Sequence, residues 1–139
     1  MQIINKELIL HTKGNPDLVN ITEKVTGLLG SCGLKKGNLT LFVIGSTASL
    51  TTFEYEPGLV EDMQEFYDKI VPKNKHYHHD DTWGDANGYS HVRAALQGAS
   101  LTIPFDEGKL LLGSWQQVVL AEFDNHARER RIAVQIIGE

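Results

Sequence analysis

Residues 77–91 read YHHDDTWGDANGYSH and hold three of the chain's six histidines, with three aspartates, an asparagine, two tyrosines and a tryptophan. These groups bind metals, move protons or grip polar ligands. His79 and His91 are the sharpest pair. Asn87 and His91 are four apart, so a helix that starts by Asn87 puts both on one face. Near a helix N-terminus the positive dipole end disfavours imidazolium, which leaves His91 neutral. A neutral His can be a base, a hydrogen-bond donor or a metal ligand. Three protein ligands plus water is the catalytic zinc pattern, and His79, His91 and a carboxylate could supply it. No HExxH, Cys pair or other ligand spacing of known meaning accompanies them. The structural alternative is a surface His in a loop plus a His at the edge of the core. In an extended segment His76 and His78 point one way, Tyr77 and His79 the other.

Other candidates lie outside this stretch. Gly45-Ser46-Thr47-Ala48-Ser49 ends an apolar strand, and its hydroxyls and backbone N–H groups suit a phosphate or carboxylate; an ordinary strand bend explains it equally. Glu54, Glu56 and Glu122 sit in or beside apolar strands, where a buried one can serve as a base. Trp115 and Gln116 can wall and orient a flat ligand, although such a Trp commonly belongs to a core. Arg128, Arg130 and Arg131 form either a small anion site or a charged strand that discourages edge pairing.

The elements that position these groups follow from pattern. Residues 2–11 read as a strand. Ile21, Val25, Leu28, Leu29 and Cys32 recur at helical spacing, with Asn20 or Thr22 as cap and Asn20 with Glu23 as a capping box. LTLFVIG (39–45) and SLTTFEY (49–55) are strands. After Glu56-Pro57-Gly58 a second amphipathic helix shows Leu59, Met63, Phe66, Tyr67 and Ile70 on one face, and Pro72 ends it. Residues 73–86 have no period, as functional or mobile loops often do. A short helix runs from about Tyr89 to Gln97 with Val92, Ala95, Leu96 and Ala99 as its expected buried stripe. Strands at 101–105, 109–113, 115–123 and 130–137 follow, joined by hairpins. The expectation is one α+β domain over 1–139, a mainly antiparallel sheet with two amphipathic helices and one short helix.

Composition limits the function classes. A chain of 139 residues, 41% hydrophobic and 22% charged, has enough apolar residues for one core and argues against disorder. A net charge of -5 lacks the basic footprint of nucleic-acid binding. Cys32 is alone, which excludes an internal disulfide and fits a reducing compartment; it sits among apolar residues as packing. No apolar run reaches the ~20 residues that span a bilayer, and MQIINKELIL does not read as a signal peptide. A cytoplasmic protein with no membrane partner is the expectation.

Taken together, SLTTFE (49–54), NGYSHVRAAL (87–96), GASLTIP (98–104), LLLGSWQ (110–116), EFD (122–124), RER (128–130) and VQIIGE (134–139) resemble the YjbQ-like family, often described as secondary thiamine-phosphate synthases. The resemblance covers roughly Leu39 to Glu139. It implies a small α+β protein that assembles as a homotrimer, with a His/Asn/Glu site near subunit contacts. It implies weak thiamine-phosphate synthase activity, joining a pyrimidine diphosphate to a thiazole phosphate. His79, Asn87, His91, Glu54 and Gln116 carry over onto the family pattern. On that reading His79, His91, Asn87 and Glu54 are catalytic, and Ser46, Thr47, Ser49 and Gln116 bind a small phosphorylated substrate. A metal, Mg²⁺ or Zn²⁺, would be expected, with His79 and His91 as candidate ligands; Mg²⁺, which offsets the charge of departing pyrophosphate, calls for a carboxylate pair, and Asp80-Asp81 is the adjacent one. Many members carry a His where this chain has Gly45; either His76, His78 or a histidine of another subunit fills the gap, or the site works differently here. The alternative is a non-catalytic small-molecule or metal-binding trimer.

Overall fold

A computed structural model describes residues 1–14 and 16–139. The chain runs β1 (Gln2–His11), β2 (Asp17–Asn20), α1 (Thr22–Cys32), β3 (Gly37–Ile44), β4 (Ala48–Glu54), α2 (Pro57–Ile70) and α3 (His78–Trp83). It continues with α4 (Gly88–Gln97), β5 (Ser100–Asp106), β6 (Lys109–Leu110), β7 (Gln116–Glu122) and β8 (Glu129–Gly138). The strands form two antiparallel sheets, a five-stranded one in the order β1-β8-β3-β5-β6 and a three-stranded one in the order β2-β7-β4. The α+β expectation holds, with two sheets rather than one and a fourth helix, α3, in the segment without a period.

Strand alternation builds the core. On β8 the inward positions are Arg130, Ile132, Val134 and Ile136, and on β3 they are Leu39, Leu41 and Val43. They meet Leu50, Val118 and Leu120 of the smaller sheet, with Val25 and Leu29 of α1. Strand β7 is buried on both sides. Its alternate residues Val119 and Ala121, with Phe123 beyond, pack against Tyr67 of α2 and Ala94 of α4. The order of layers is therefore large sheet, small sheet, helices. The ring of Tyr67 meets Phe123 edge-on at 4.8 Å. Burial raises its phenol pKa to about 12, against a hydrogen bond with Gln97.

Two local expectations change. Ile21, not Asn20 or Thr22, stands at the cap of α1; Asn20 Oδ1 instead accepts from Thr22 N at 3.1 Å, so the box with Glu23 does not form. On α4 the buried face is Tyr89, Ser90, Arg93 and Ala94, while Val92 and Leu96 are 44% and 66% exposed. Arg93 wins a core position because Val71 O, at the C-terminus of α2, accepts from its Nε and Nη2, and Asp68 pairs with Nη2. Tyr89 and Tyr67 flank its guanidinium. An arginine held through Nε and Nη2, its buried Nη1 without a hydrogen bond among the described residues, thus displaces the apolar stripe outward.

Candidate functional site

The small sheet, the α3–α4 corner and the start of β8 converge on one open cleft of roughly 470 Å³. Its lining includes Gly45, Ser46 and Thr47 after β3, His79 and Trp83 of α3, and Asn87 and His91 at the start of α4. Asp85, Asp124, Arg128 and Arg130 complete it. The corner is locked by Asp80, whose Oδ1 accepts from Gly88 N at 2.9 Å. A Cβ on Gly88 would fall 2.5 Å from Tyr77 Cβ, so only glycine lets α4 start that close to α3. Tyr77 serves this packing, donating to Pro72 O at 2.6 Å.

His79 and His91 face each other with ring centroids 4.3 Å apart. Burial pushes the pKa of His91 below its ordinary value of 6.5, and repulsion from His79 lowers it further. The neutral ring expected from the helix start is therefore present mainly for another reason, desolvation. His79 Nε2 lies 3.7 Å from Asp85 Oδ1. The Asn87 amide fits in two ways. In one, Nδ2 donates to Asp124 Oδ1 over 3.4 Å. Turned over, it donates to both Asp85 oxygens at 3.0 and 3.1 Å and to His79 Nε2 at 3.2 Å. The second gives its two N–H groups acceptors on both Asp85 and His79, all closer than the one long contact, and is the better orientation. It requires an unprotonated His79 Nε2, which puts that ring's proton on Nδ1.

Beneath the cleft lies a buried ionic network that ties the expected Glu122, Arg128 and Arg130 to Asp124, a partner the sequence did not single out. Glu122 accepts from Arg130 Nε at 2.6 Å and Nη2 at 2.5 Å, from Thr12 Oγ1 and from Asp124 N. Asp124, also fully buried, accepts from Thr47 Oγ1 and Arg128 Nε at 2.9 Å each. Burial pushes its pKa up, but hydrogen bonds from Thr47, Asn125 N and Arg128 outweigh this and hold it below the usual value. Arg130 Nη2 also donates to Thr47 Oγ1. Its Nη1 makes no hydrogen bond among the described residues and lies 2.7 Å from where a Cβ on Gly45 would stand. The space left by Gly45 is thus filled by a guanidinium, and His76 and His78 do not enter the cleft. Among the three arginines expected as one cluster, Arg131 points outward to Glu7, Arg128 is half-exposed and Arg130 is buried.

Ser46 and Thr47 line the cleft as expected, while Ser49, Glu54 and Gln116 lie elsewhere. Ser49 is fully buried and accepts from Gln97 Nε2. Strand β4 begins at the cleft with Ala48, opposite Glu122, and ends at Glu54, opposite Gln116. Six steps of ~3.3 Å put Glu54 and Gln116 about 20 Å from it. Gln116 there bonds Thr52 Oγ1 and Gly113 N. Glu56 caps α2 through Gly58 N and Leu59 N. Trp83, not Trp115, lines the cleft, though both rings are largely exposed. Among the described residues no third His, Cys or carboxylate ligand atom closes with His79 and His91 to within 4.8 Å. Among the described residues the trio whose ligand atoms converge is His76, His78 and Asp81.

The model of the UPF0047 protein YjbQ-like family matches residues 6–139. A UPF0047 protein of Methanothermobacter thermautotrophicus is 37% identical over 139 residues, covering 100% of this chain and 95% of the relative. The UPF0047 protein YjbQ of Salmonella typhimurium is 36% identical over 86% of this chain and 84% of its own length. A crystal structure from Sulfolobus solfataricus, described as a YbjQ-like protein of unknown function, superposes with a TM-score of 0.93 at 32% identity, covering 99% of both chains. A second, from Clostridium acetobutylicum, gives a TM-score of 0.86 at 32% identity over 95% of this chain and 99% of that one. The chain belongs to the UPF0047 YjbQ-like family.

Proposed function

We propose that the cleft binds a small phosphorylated molecule and acts on it as an enzyme. The observation that carries this is that one cleft is lined by two kinds of group. One is the set Arg130, Arg128 and Ser46, the other the facing imidazoles of His79 and His91. The first suits phosphate, since guanidinium N–H groups match phosphate oxygens. The second suits proton transfer at neutral pH, because His91 is held neutral and Asn87, itself bonded to Asp85, orients His79. The specific reaction to test is the joining of a pyrimidine diphosphate to a thiazole phosphate. In it a C–N bond forms as pyrophosphate leaves, and Arg128 and Arg130 would offset the departing charge.

We further propose a homotrimer whose subunit contacts wall the cleft. A mostly apolar groove of roughly 490 Å³, lined by Ala48, Ala94, Ala95 and Ala99, adjoins the cleft and shares Gly45, Ser46 and His91 with it. Exposed Val92 and Leu96 extend α4's apolar surface. A copy of the chain covering this face would exclude water and strengthen every charge interaction inside.

Turnover of the two phosphorylated substrates by wild type and His91→Ala tests the enzyme reading. Loss of a positioned acid–base group lowers the rate by about 10²–10⁴; equal rates sink the synthase reading. The second reading is a non-catalytic binder, favoured by the ion pairs that tie down Glu122 and Asp124. It predicts pyrophosphate binding that Arg128→Ala weakens, with no turnover. Mass in solution, with Leu96→Glu as the disrupting variant, tests the trimer; a wild-type monomer rejects it.

A further inference from the structure

His76, His78 and Asp81 are all exposed, and none of them lines the cleft. One ligand atom from each lies within 4.8 Å of the others. His76 Nε2 and Asp81 Oδ2 are 2.9 Å apart, and the rings of His76 and His78 meet at right angles with centroids 5.8 Å apart. Among the described residues His76 and Asp81 hydrogen-bond only each other, whereas the neighbouring Asp80 and Tyr77 hold Gly88 N and Pro72 O. We infer that His76, His78 and Asp81 form a site for a divalent transition-metal ion, separate from the cleft.

The donor set selects the ion. Two imidazole nitrogens and one carboxylate oxygen suit Zn²⁺, Ni²⁺ or Cu²⁺; Mg²⁺ and Ca²⁺ take oxygens. Zinc bonds of about 2.0–2.2 Å set tetrahedral ligand–ligand edges of about 3.3 Å. The His76–Asp81 edge is already shorter than that, and exposed side chains rotate freely enough to draw His78 in. Water completes the shell. The local structure favours convergence: His78 and Asp81 are one turn apart on α3, and His76 precedes it in the chain. Because His79 follows His78 directly, an ion bound here would also fix the start of the helix that carries a cleft imidazole.

The test is a Zn²⁺ titration of the full, untagged chain by calorimetry, with Co²⁺ absorption as a probe of coordination. Wild type should take up one equivalent at this site. His78→Ala and Asp81→Asn should each weaken that uptake at least tenfold, while His91→Ala leaves it within twofold. The inference is overturned by any of three results: no saturable uptake by wild type, equal uptake by His78→Ala, or loss of uptake in His91→Ala, which would place the ion in the cleft.

Discussion

Replacing Glu122 by Gln tests whether the ion pair under the cleft is insulated from water. Glu122 is fully buried and the Arg130 side chain is 7% exposed. Four donors point at the carboxylate: Arg130 Nε and Nη2, Thr12 Oγ1 and Asp124 N. Glutamine turns one oxygen into an NH₂, so donors meet a donor and the guanidinium loses its counter-charge. Asp124 Oδ2, 4.0 Å from Nη2, is the carboxylate that remains. Breaking a buried pair from one side costs about 3–5 kcal/mol. At about 2.1 cal/mol/K of unfolding entropy per residue, the chain unfolds with ~0.29 kcal/mol/K, so Tm should fall by about 10–17 °C. A Glu122→Met/Arg130→Met double variant removes both charges and should recover more than half of that loss, because apolar replacement of a whole pair is often neutral. It should still lose pyrophosphate binding. Thermal unfolding by circular dichroism, at one fixed protein concentration because association shifts Tm, reads both variants. A drop under about 3 °C for Glu122→Gln, ~1 kcal/mol, or a double variant no more stable than the single, refutes the reasoning.

Two further outcomes follow from the cleft. Gly45→Ala puts a methyl 2.7 Å from Arg130 Nη1; the guanidinium end gives way, so stability changes little while pyrophosphate affinity falls about tenfold, ~1.4 kcal/mol, and unchanged affinity in calorimetry rejects the anion site. His91 has a folded-state pKa below 6.5, so below that pH the unfolded chain takes the proton first. Its contribution to stability is full above 6.5 and is lost as pH falls toward the folded value. Urea unfolding from pH 7 to 5 should show wild type losing stability relative to His91→Gln, and parallel losses would reject the assignment.

The fold was largely legible because the strands alternate cleanly. The sites of failure have physical causes. Helix α3 carries HHDDTW, without an apolar stripe, so no period announces it. Strand β2 has four residues and β6 two, too short to alternate visibly. On α4 the spacing of Val92, Ala95 and Leu96 was genuine, but tertiary partners for Arg93 decided which face turned inward. His79, Asn87, His91, Ser46 and Thr47 were found because their types and spacing are local signals. Glu54 and Gln116 were misplaced because a strand's register, not its composition, decides which end reaches a cleft. Glu122, Asp124 and Arg130 needed long-range pairing. Their one visible signal is a charge at an inward strand position: Arg130 two before Ile132, and Glu122 two after Leu120.

Strand β8 lies between β1 and β3, yet about 120 residues separate β1 from it. At roughly 5–20 residues per second of synthesis, β1 waits about 6–24 s for its partner. Until then Ile4, Leu8 and Leu10, which the finished sheet packs inward, have no sheet to join, and β3 has one open edge. Sheets dominated by such distant pairings fold slowly and expose strand edges while they wait. The charges on β1, Lys6 and Glu7 among them, keep that waiting strand from pairing with its like on a neighbouring nascent chain.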